Sequence, residues 1–333
     1  MAAKIYILDT GPAFEEKSQE LLEHLKTLGL KADIRGEING EARKAENRDG
    51  HKDRYEDKQK GRLEDKQKGR LNDKHKKGGL EARHKDEYRA ERQEDKKEKL
   101  KKEHKREKNE LYLRYDEKGL TLTDGKIQMR GDFSDMLPRL RYDNLTHELL
   151  VKAARMKDMN RGPGRHPVIL DATAGMGEDS LLLAAAGFEV EMYEQNPVIA
   201  ALLADCLERA GKNPALTEII CRMHLHEGDS IEALKNLKDF PDVIYLDPMF
   251  PERQKSALVK KKFQLLHQLE MPCQDEEVLL KAAVGARPFK VVVKRPLKGP
   301  NLAGMKPGYS LTGKAIRYDC FVFPENEVRN AEG

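Results

Sequence analysis

Tryptophan is absent from this sequence and cysteine is scarce. Cys206, Cys221, Cys273 and Cys320 stand far apart, with no Cys-x-x-Cys pair among them. That spacing excludes the usual zinc and disulfide patterns and fits a reducing cytosol, so a cytoplasmic location without metal is expected. No apolar run reaches the roughly 20 residues that span a bilayer, so no membrane partner is expected. The first residues lack a basic stretch leading into an apolar core, and no secretory signal is expected.

Charge is plentiful but uneven. Of the 62 Lys and Arg and 58 Asp and Glu, the stretch from Glu41 to Glu110 holds 26 and 19, leaving 36 and 39 elsewhere. The basic excess is thus confined to one segment and the remainder is mildly acidic. Within it Glu56-Asp-Lys-Gln-Lys-Gly-Arg-Leu63 recurs as Glu64-Asp-Lys-Gln-Lys-Gly-Arg-Leu71, followed by a degraded copy to Leu80. One leucine per eight residues buries almost nothing, so this insertion is expected to be disordered or loosely helical. A mobile insertion without a role and a polyelectrolyte arm that raises RNA encounter rates are both compatible with it.

Around the insertion the pattern is periodic. Lys4 to Leu8 and Ala32 to Ile34 read as strands flanking a helix that carries Phe14, Leu21, Leu22, Leu25 and Leu28 and ends at Gly29. Leu111 to Arg114, Leu120 to Thr123 and Lys126 to Arg130 read as further strands, expected to pair with the first. A single amphipathic helix is expected over Leu145 to Met156. The organisation expected is an N-terminal α+β lobe (1–40 and 111–145) interrupted by the insertion (41–110), an α/β domain (146–325) and a flexible tail (326–333).

The α/β domain is organised around Val168-Ile-Leu-Asp171-Ala-Thr-Ala-Gly175-Met-Gly177-Glu178-Asp179-Ser180. An apolar strand runs into a turn that Gly175 and Gly177 permit, and then into a helix. Strand, glycine turn and helix form the first unit of a doubly wound fold, with the ligand at the strand's carboxyl end. Ser180 stands where a dinucleotide fingerprint needs its third glycine, and Glu178 and Asp179 would repel a pyrophosphate. A cationic nucleoside without phosphates, such as S-adenosylmethionine, suits this loop better.

Strand and helix then alternate through strands at Phe188–Tyr193, Met223–His226, Asp242–Leu246 and Lys290–Val293. Ala315 to Phe323 reads as a closing antiparallel strand. Tyr309-Ser310 falls in a Gly/Pro-rich loop that could form a lid. Glu194, with Gln195, ends the second strand, where a carboxylate can accept ribose hydroxyls; alone it also fits a nicotinamide cofactor. Asp229 and Ser230 follow the third strand, suited to an adenine amino group or simply to capping a helix. Asp247-Pro248-Met249-Phe250-Pro251 follows the fourth. An exocyclic amine is a poor nucleophile until its protons are accepted. The Asp247 carboxylate and Pro248 carbonyl can accept them, and Phe250 offers a face for an unstacked base. Lys255, Lys260, Lys261, Lys262, Lys294 and Arg295 flank this block and are suited to phosphate contacts.

Four blocks together resemble the bacterial ribosomal RNA small subunit methyltransferase J family: Asp171–Gly177, Glu194–Pro197 with Ala200–Leu203, Tyr245–Pro251 with Gln254–Lys261, and Val291–Pro296. The resemblance implies a Rossmann-like class I methyltransferase that uses S-adenosylmethionine to methylate a guanine N2 amine in 16S rRNA. Free small-subunit rRNA or a pre-ribosomal particle would be the partner. It places the cofactor against Glu178, Asp179, Glu194, Gln195, Asp229, Ser230 and Asp247. The same Asp-Pro-x-Phe logic also serves adenine N6 or a protein side-chain amide, and a non-enzymatic ribosome-associated protein could retain the fold.

Overall fold

A computed structural model of the chain describes residues 4–9, 11–36, 110–156, 165–248, 265, 269 and 276–324. Phe250, Lys255, Lys260, Lys261 and Lys262 lie outside the described residues, as do positions 41–109 of the charged insertion and the 326–333 tail.

Two sheets form. The smaller has the order β2-β1-β3-β4-β5, from β1 (Lys4–Asp9), β2 (Ala32–Gly36), β3 (Glu110–Asp116), β4 (Gly119–Thr123) and β5 (Gln128–Met129). The first strand does pair with Glu110–Asp116, in parallel, with Ile5 opposite Leu111. Helix α1 (Glu15–Thr27) closes one face through Leu21, Leu22 and Leu25. Leu28, expected in that apolar set, caps the helix and is exposed. β5 is shorter than Lys126–Arg130 suggests, because the Asp124 carboxylate accepts from the amides of Lys126 and Ile127 and holds them in a turn.

The larger sheet has the order β11-β12-β10-β9-β6-β7-β8. Its strands are β6 (Val168–Asp171), β7 (Glu189–Glu194), β8 (Met223–Glu227), β9 (Val243–Leu246), β10 (Lys290–Pro296), β11 (Tyr309–Thr312) and β12 (Ile316–Val322). Only β12 runs against its neighbours. Tyr309 and Ser310 are therefore not a lid; they pair opposite Cys320 and Asp319 in an edge strand.

The helix expected over Leu145–Met156 is instead two pieces. After α2 (Leu137–Leu140) come α3 (Tyr142–Leu145) and α4 (Leu149–Ala154). The Thr146 hydroxyl and the His147 ring both bond to the Asp143 carbonyl, while Arg139 holds the Glu148 carboxylate at 2.9 Å. Such local side-chain bonds compete with helix continuation, and Glu148 turns to an extended ψ of 124°. Phe133, Met136, Leu145, Leu150 and Val151 pack on the larger sheet with α5 (Glu178–Ala185).

The two sheets share α6 (Pro197–Gly211), which places Val198 and Leu202 in the core of the smaller sheet and Leu203 and Cys206 in that of the larger. Asp205, 7% exposed, fixes the junction. Its carboxylate accepts from the Leu120 amide at 3.0 Å and from Arg209 at 2.8 Å, and Arg209 reaches the Gly131 carbonyl at 2.6 Å. Gly119 makes room for this pair: its φ is +107°, and a Cβ there would collide with Arg209 and the Asp205 carboxylate. Gly119→Ala is expected to destabilise the fold by about 2 kcal/mol or more, combining backbone strain with a displaced ion pair. Chemical denaturation measures this; an unchanged midpoint would show that the junction is slack.

Candidate active site

The functional cluster follows from side-chain alternation. Ile169, Val243 and Val292 face one core and Leu170, Ile244 and Val293 the other. The period of two then directs Asp171, Tyr245, Asp247 and Lys294 to one face of three adjacent strands. The first turn of α5 supplies Asp179 and Ser180 to that face.

Lys294 is the centre. Its ammonium lies 2.7 Å from the Asp179 carboxylate and 2.8 Å from that of Asp247, and Asp179 also accepts the Tyr245 hydroxyl at 2.6 Å. Burial pulls the Lys294 ammonium down, but the two carboxylates outweigh it and carry its pKa well above the ordinary lysine value. Burial, with Asp179 and Asp247 behind it, pushes Tyr245 up, so the phenol stays a donor.

A second chain of bonds fixes the loop. Asp171, 1% exposed, accepts from the Thr173 amide and hydroxyl at 3.0 and 3.3 Å and from Ser180 at 2.5 Å. Thr173 in turn accepts the Asp247 amide at 2.7 Å, which ties the glycine turn to the end of β9. Glu194, 9% exposed, accepts the amides of Gly175 and Asn196 at 2.9 and 2.8 Å; burial raises its carboxyl and those amides lower it. Gly177 takes φ +75°, and a Cβ there would lie 2.7 Å from Leu203. Glu178 and Gln195 are exposed beside this turn.

Several expected residues thus meet at the strand ends: Gly175, Gly177, Glu178, Asp179, Glu194, Gln195, Asp247 and the buried Pro248. Others sit differently. Asp171 is interior, bracing the loop. Asp229 caps α7 (Ser230–Lys235), accepting the Ile231 amide at 2.8 Å, and Ser230 is that helix's first residue. Lys294 and Arg295 are not placed as phosphate contacts. Lys294 is committed to the carboxylates, and alternation turns Arg295 to the opposite face, 1% exposed, donating to the Pro300 carbonyl at 2.9 Å. Thr173 and Tyr245 were missed. The signal for Tyr245 was a phenol inside an apolar strand, where a buried hydroxyl needs a partner.

The charge suits the cofactor read from the sequence. Two carboxylates and one ammonium leave the Asp179–Lys294–Asp247 cluster with one negative charge, beside Glu178. A sulfonium cation fits such a site and a pyrophosphate does not. A seven-stranded sheet with one antiparallel strand, a glycine turn after the interior strand β6 and carboxylates at the strand ends defines a class I S-adenosylmethionine-dependent methyltransferase. The family model that matches residues 95–323 is described as a putative SAM-dependent methyltransferase. Relatives in Pseudomonas aeruginosa (strain UCBPP-PA14) and Neisseria gonorrhoeae are 41% and 40% identical over 222 and 215 residues, covering 65% and 64% of this chain and 83% of each relative. Both are named ribosomal RNA small subunit methyltransferase J, and this chain belongs to that family. A crystal structure of a SAM-dependent methyltransferase from Neisseria gonorrhoeae is similar with a TM-score of 0.52 and 34% identity, over 67% of this chain and 84% of that one.

Asp171 gives a test in pH. Burial pushes its carboxyl from 3.8 up to about 7, against the bonds from Ser180 and Thr173. The native protein therefore keeps a proton that the unfolded chain has released. The stability this lends is present at low pH and lost as pH rises from 3.8 through about 7. Denaturant unfolding between pH 4 and 8 is expected to show that fall in the native protein and a shallower one in Asp171→Asn. Equal slopes would place the Asp171 carboxyl at an ordinary value.

Proposed function

We propose that this methyltransferase acts on small-subunit ribosomal RNA and transfers a methyl group to the exocyclic N2 amine of a guanine, in the cytoplasm. The observation that carries the reading is the Asp247 carboxylate, placed at the end of β9 and held beside Lys294. The names of the relatives support the RNA class, and the chemistry at Asp247-Pro248 supports an amine acceptor. Among the described residues no helix is long and apolar enough to cross a membrane.

When bound, S-adenosylmethionine supplies an electrophilic methyl group carried on a sulfonium. The residues of the chain do the rest by positioning. Glu178 and Glu194 line the glycine turn, where a nucleoside's hydroxyls find acceptors. The Asp247 carboxylate and the Pro248 carbonyl accept hydrogen bonds from the amine, turning its lone pair out of conjugation with the ring and towards the methyl carbon. The Thr173–Asp247 amide bond fixes the backbone from which both acceptors project. The Lys294 ammonium, 2.8 Å away, favours the ionised form of this carboxylate, the form that accepts. As the C–N bond formed, the bond from that methyl to the sulfonium would break and leave a neutral thioether, and the surplus amine proton would leave by way of Asp247 to solvent. Phe250 belongs to this proposal as the face on which the base stacks, and Gln195, Asp229 and Ser230 as the rim on the adenosine side.

The test is single-turnover methyl transfer to small-subunit RNA and to particles, with the product nucleoside identified by mass spectrometry. N2-methylguanosine is the expected product. Asp247→Asn is expected to lower the rate by about 10²–10⁴, the usual effect of losing a positioned proton acceptor, with cofactor affinity nearly unchanged. A well-folded Asp247→Asn enzyme with the native rate would remove Asp247 from the chemistry, and methylation at another atom would overturn the acceptor.

A further inference from the structure

Between Glu277 and Asp319 the chain carries no acidic residue and nine basic ones. Five of these serve the fold or the site. Lys281 pairs with Glu277, Lys290 donates to the carbonyls of Ala153 and Arg155, Lys294 joins the carboxylates, and Arg295 and Arg317 bind loop carbonyls. Lys298 and Lys314 are different. Both are exposed, and among the described residues neither forms an ion pair, which is also true of the exposed Arg287 and Lys306, whereas Lys17, Lys26, Lys212 and Lys235 each pair with a glutamate.

Strand register places these two lysines. Val293 lies opposite Leu246, so Lys294 is level with Asp247, and Pro296 two residues further on lies opposite Ile316. The Leu297 amide donates to the Ala315 carbonyl at 3.0 Å, which joins the loop after β10 to the turn between β11 and β12. Lys298 and Lys314 each neighbour a residue of that bond. They stand together on the lip just beyond Asp247.

The lip is rigid. One nitrogen of the Arg317 guanidinium donates to the carbonyls of Pro296, Leu297 and Gly299 at 2.8, 3.0 and 2.9 Å, and another to Asn301 at 3.2 Å. Asp319 orients Arg317 at 2.9 and 3.0 Å. With its carbonyls wrapped around Arg317, the loop carries an exposed Lys298 outward at little further entropic cost on binding. The opposite side of the same edge, at the end of β8, exposes Glu227, which meets the His24 ring at 2.6 Å, and Asp229, and Glu178 is exposed beside the glycine turn. The site edge is therefore polarised, acidic towards the nucleoside pocket and basic towards β10–β12.

We infer that the Lys298–Lys314 lip is the RNA-backbone contact that leads the substrate strand to Asp247, each lysine neutralising one phosphate. The inference rests on the proposed RNA substrate and adds the side from which the strand enters.

The experiment titrates small-subunit RNA with the native protein, Lys298→Gln/Lys314→Gln, Lys298→Arg/Lys314→Arg and, as a control, Lys212→Gln, over a range of salt. Loss of two phosphate contacts is expected to reduce the slope of log affinity against log salt by about 1.4–1.8 and to weaken binding about tenfold near 0.1 M salt. The arginine variant and Lys212→Gln are expected to keep the native slope. Melting temperature and S-adenosylmethionine affinity of the double glutamine variant are expected to match the native protein. An unchanged slope in the glutamine variant, with native protein that binds and methylates the RNA, overturns the lip and leaves the function standing. Native protein that neither binds nor methylates small-subunit RNA overturns both.

Discussion

One ammonium between two carboxylates sets the geometry of this active site. Lys294 joins Asp179, at the start of the helix after the glycine turn, to Asp247, at the end of the neighbouring strand. Without it, two carboxylates would face each other in a partly buried space, and repulsion would separate them or force a proton onto one. With it they are fixed, and one net negative charge remains for a sulfonium. Hydrogen bonds to charged groups contribute about 1.5–3 kcal/mol each, so the cluster also fastens the glycine turn to the sheet. Thr173 and Asp171 repeat that fastening through neutral donors.

Most of the architecture was legible because the larger sheet follows simple rules. Buried strands read as short apolar runs, and Gly175 and Gly177 marked the turn. The charged residues after Leu246 and Tyr193 marked the site end of the sheet. What escaped the sequence was direction and local competition. Lys294 and Arg295 look alike in sequence, yet adjacent strand positions face opposite ways, so one enters the carboxylate cluster and the other the far core. The helix read across Leu145–Met156 has the right apolar spacing, but bonds to the Asp143 carbonyl from Thr146 and His147 break it. Asp229 offered two meanings, and its bond to the Ile231 amide makes it a cap first. Asp171 acts through burial, which no spacing reveals, and the one sign of Tyr245 was a phenol set in an apolar strand.

The smaller sheet shares the frame of the site. Its strand β4 is pinned by Asp205, held by Arg209, on α6, and that helix is capped by Asn196, whose backbone amide donates to Glu194. The N-terminal strands and the glycine turn thus belong to one connected network. Charge divides the opposite way, with carboxylates on the nucleoside side of the strand ends and lysines beyond β10. A cationic cofactor and a polyanionic substrate can then approach one amine acceptor from opposite sides without either crossing a repulsive surface.

Lys294→Gln tests the central claim most directly, because two roles for this lysine predict opposite results. The measurement is the salt dependence of small-subunit RNA binding beside the single-turnover methylation rate, in protein shown to be folded. If Lys294 holds Asp179 and Asp247, the salt slope stays at the native value while the rate falls at least tenfold and Lys294→Arg restores part of it. A slope reduced by about 0.7–0.9, the mark of one lost phosphate contact, with the rate at saturating RNA unchanged, would contradict the account.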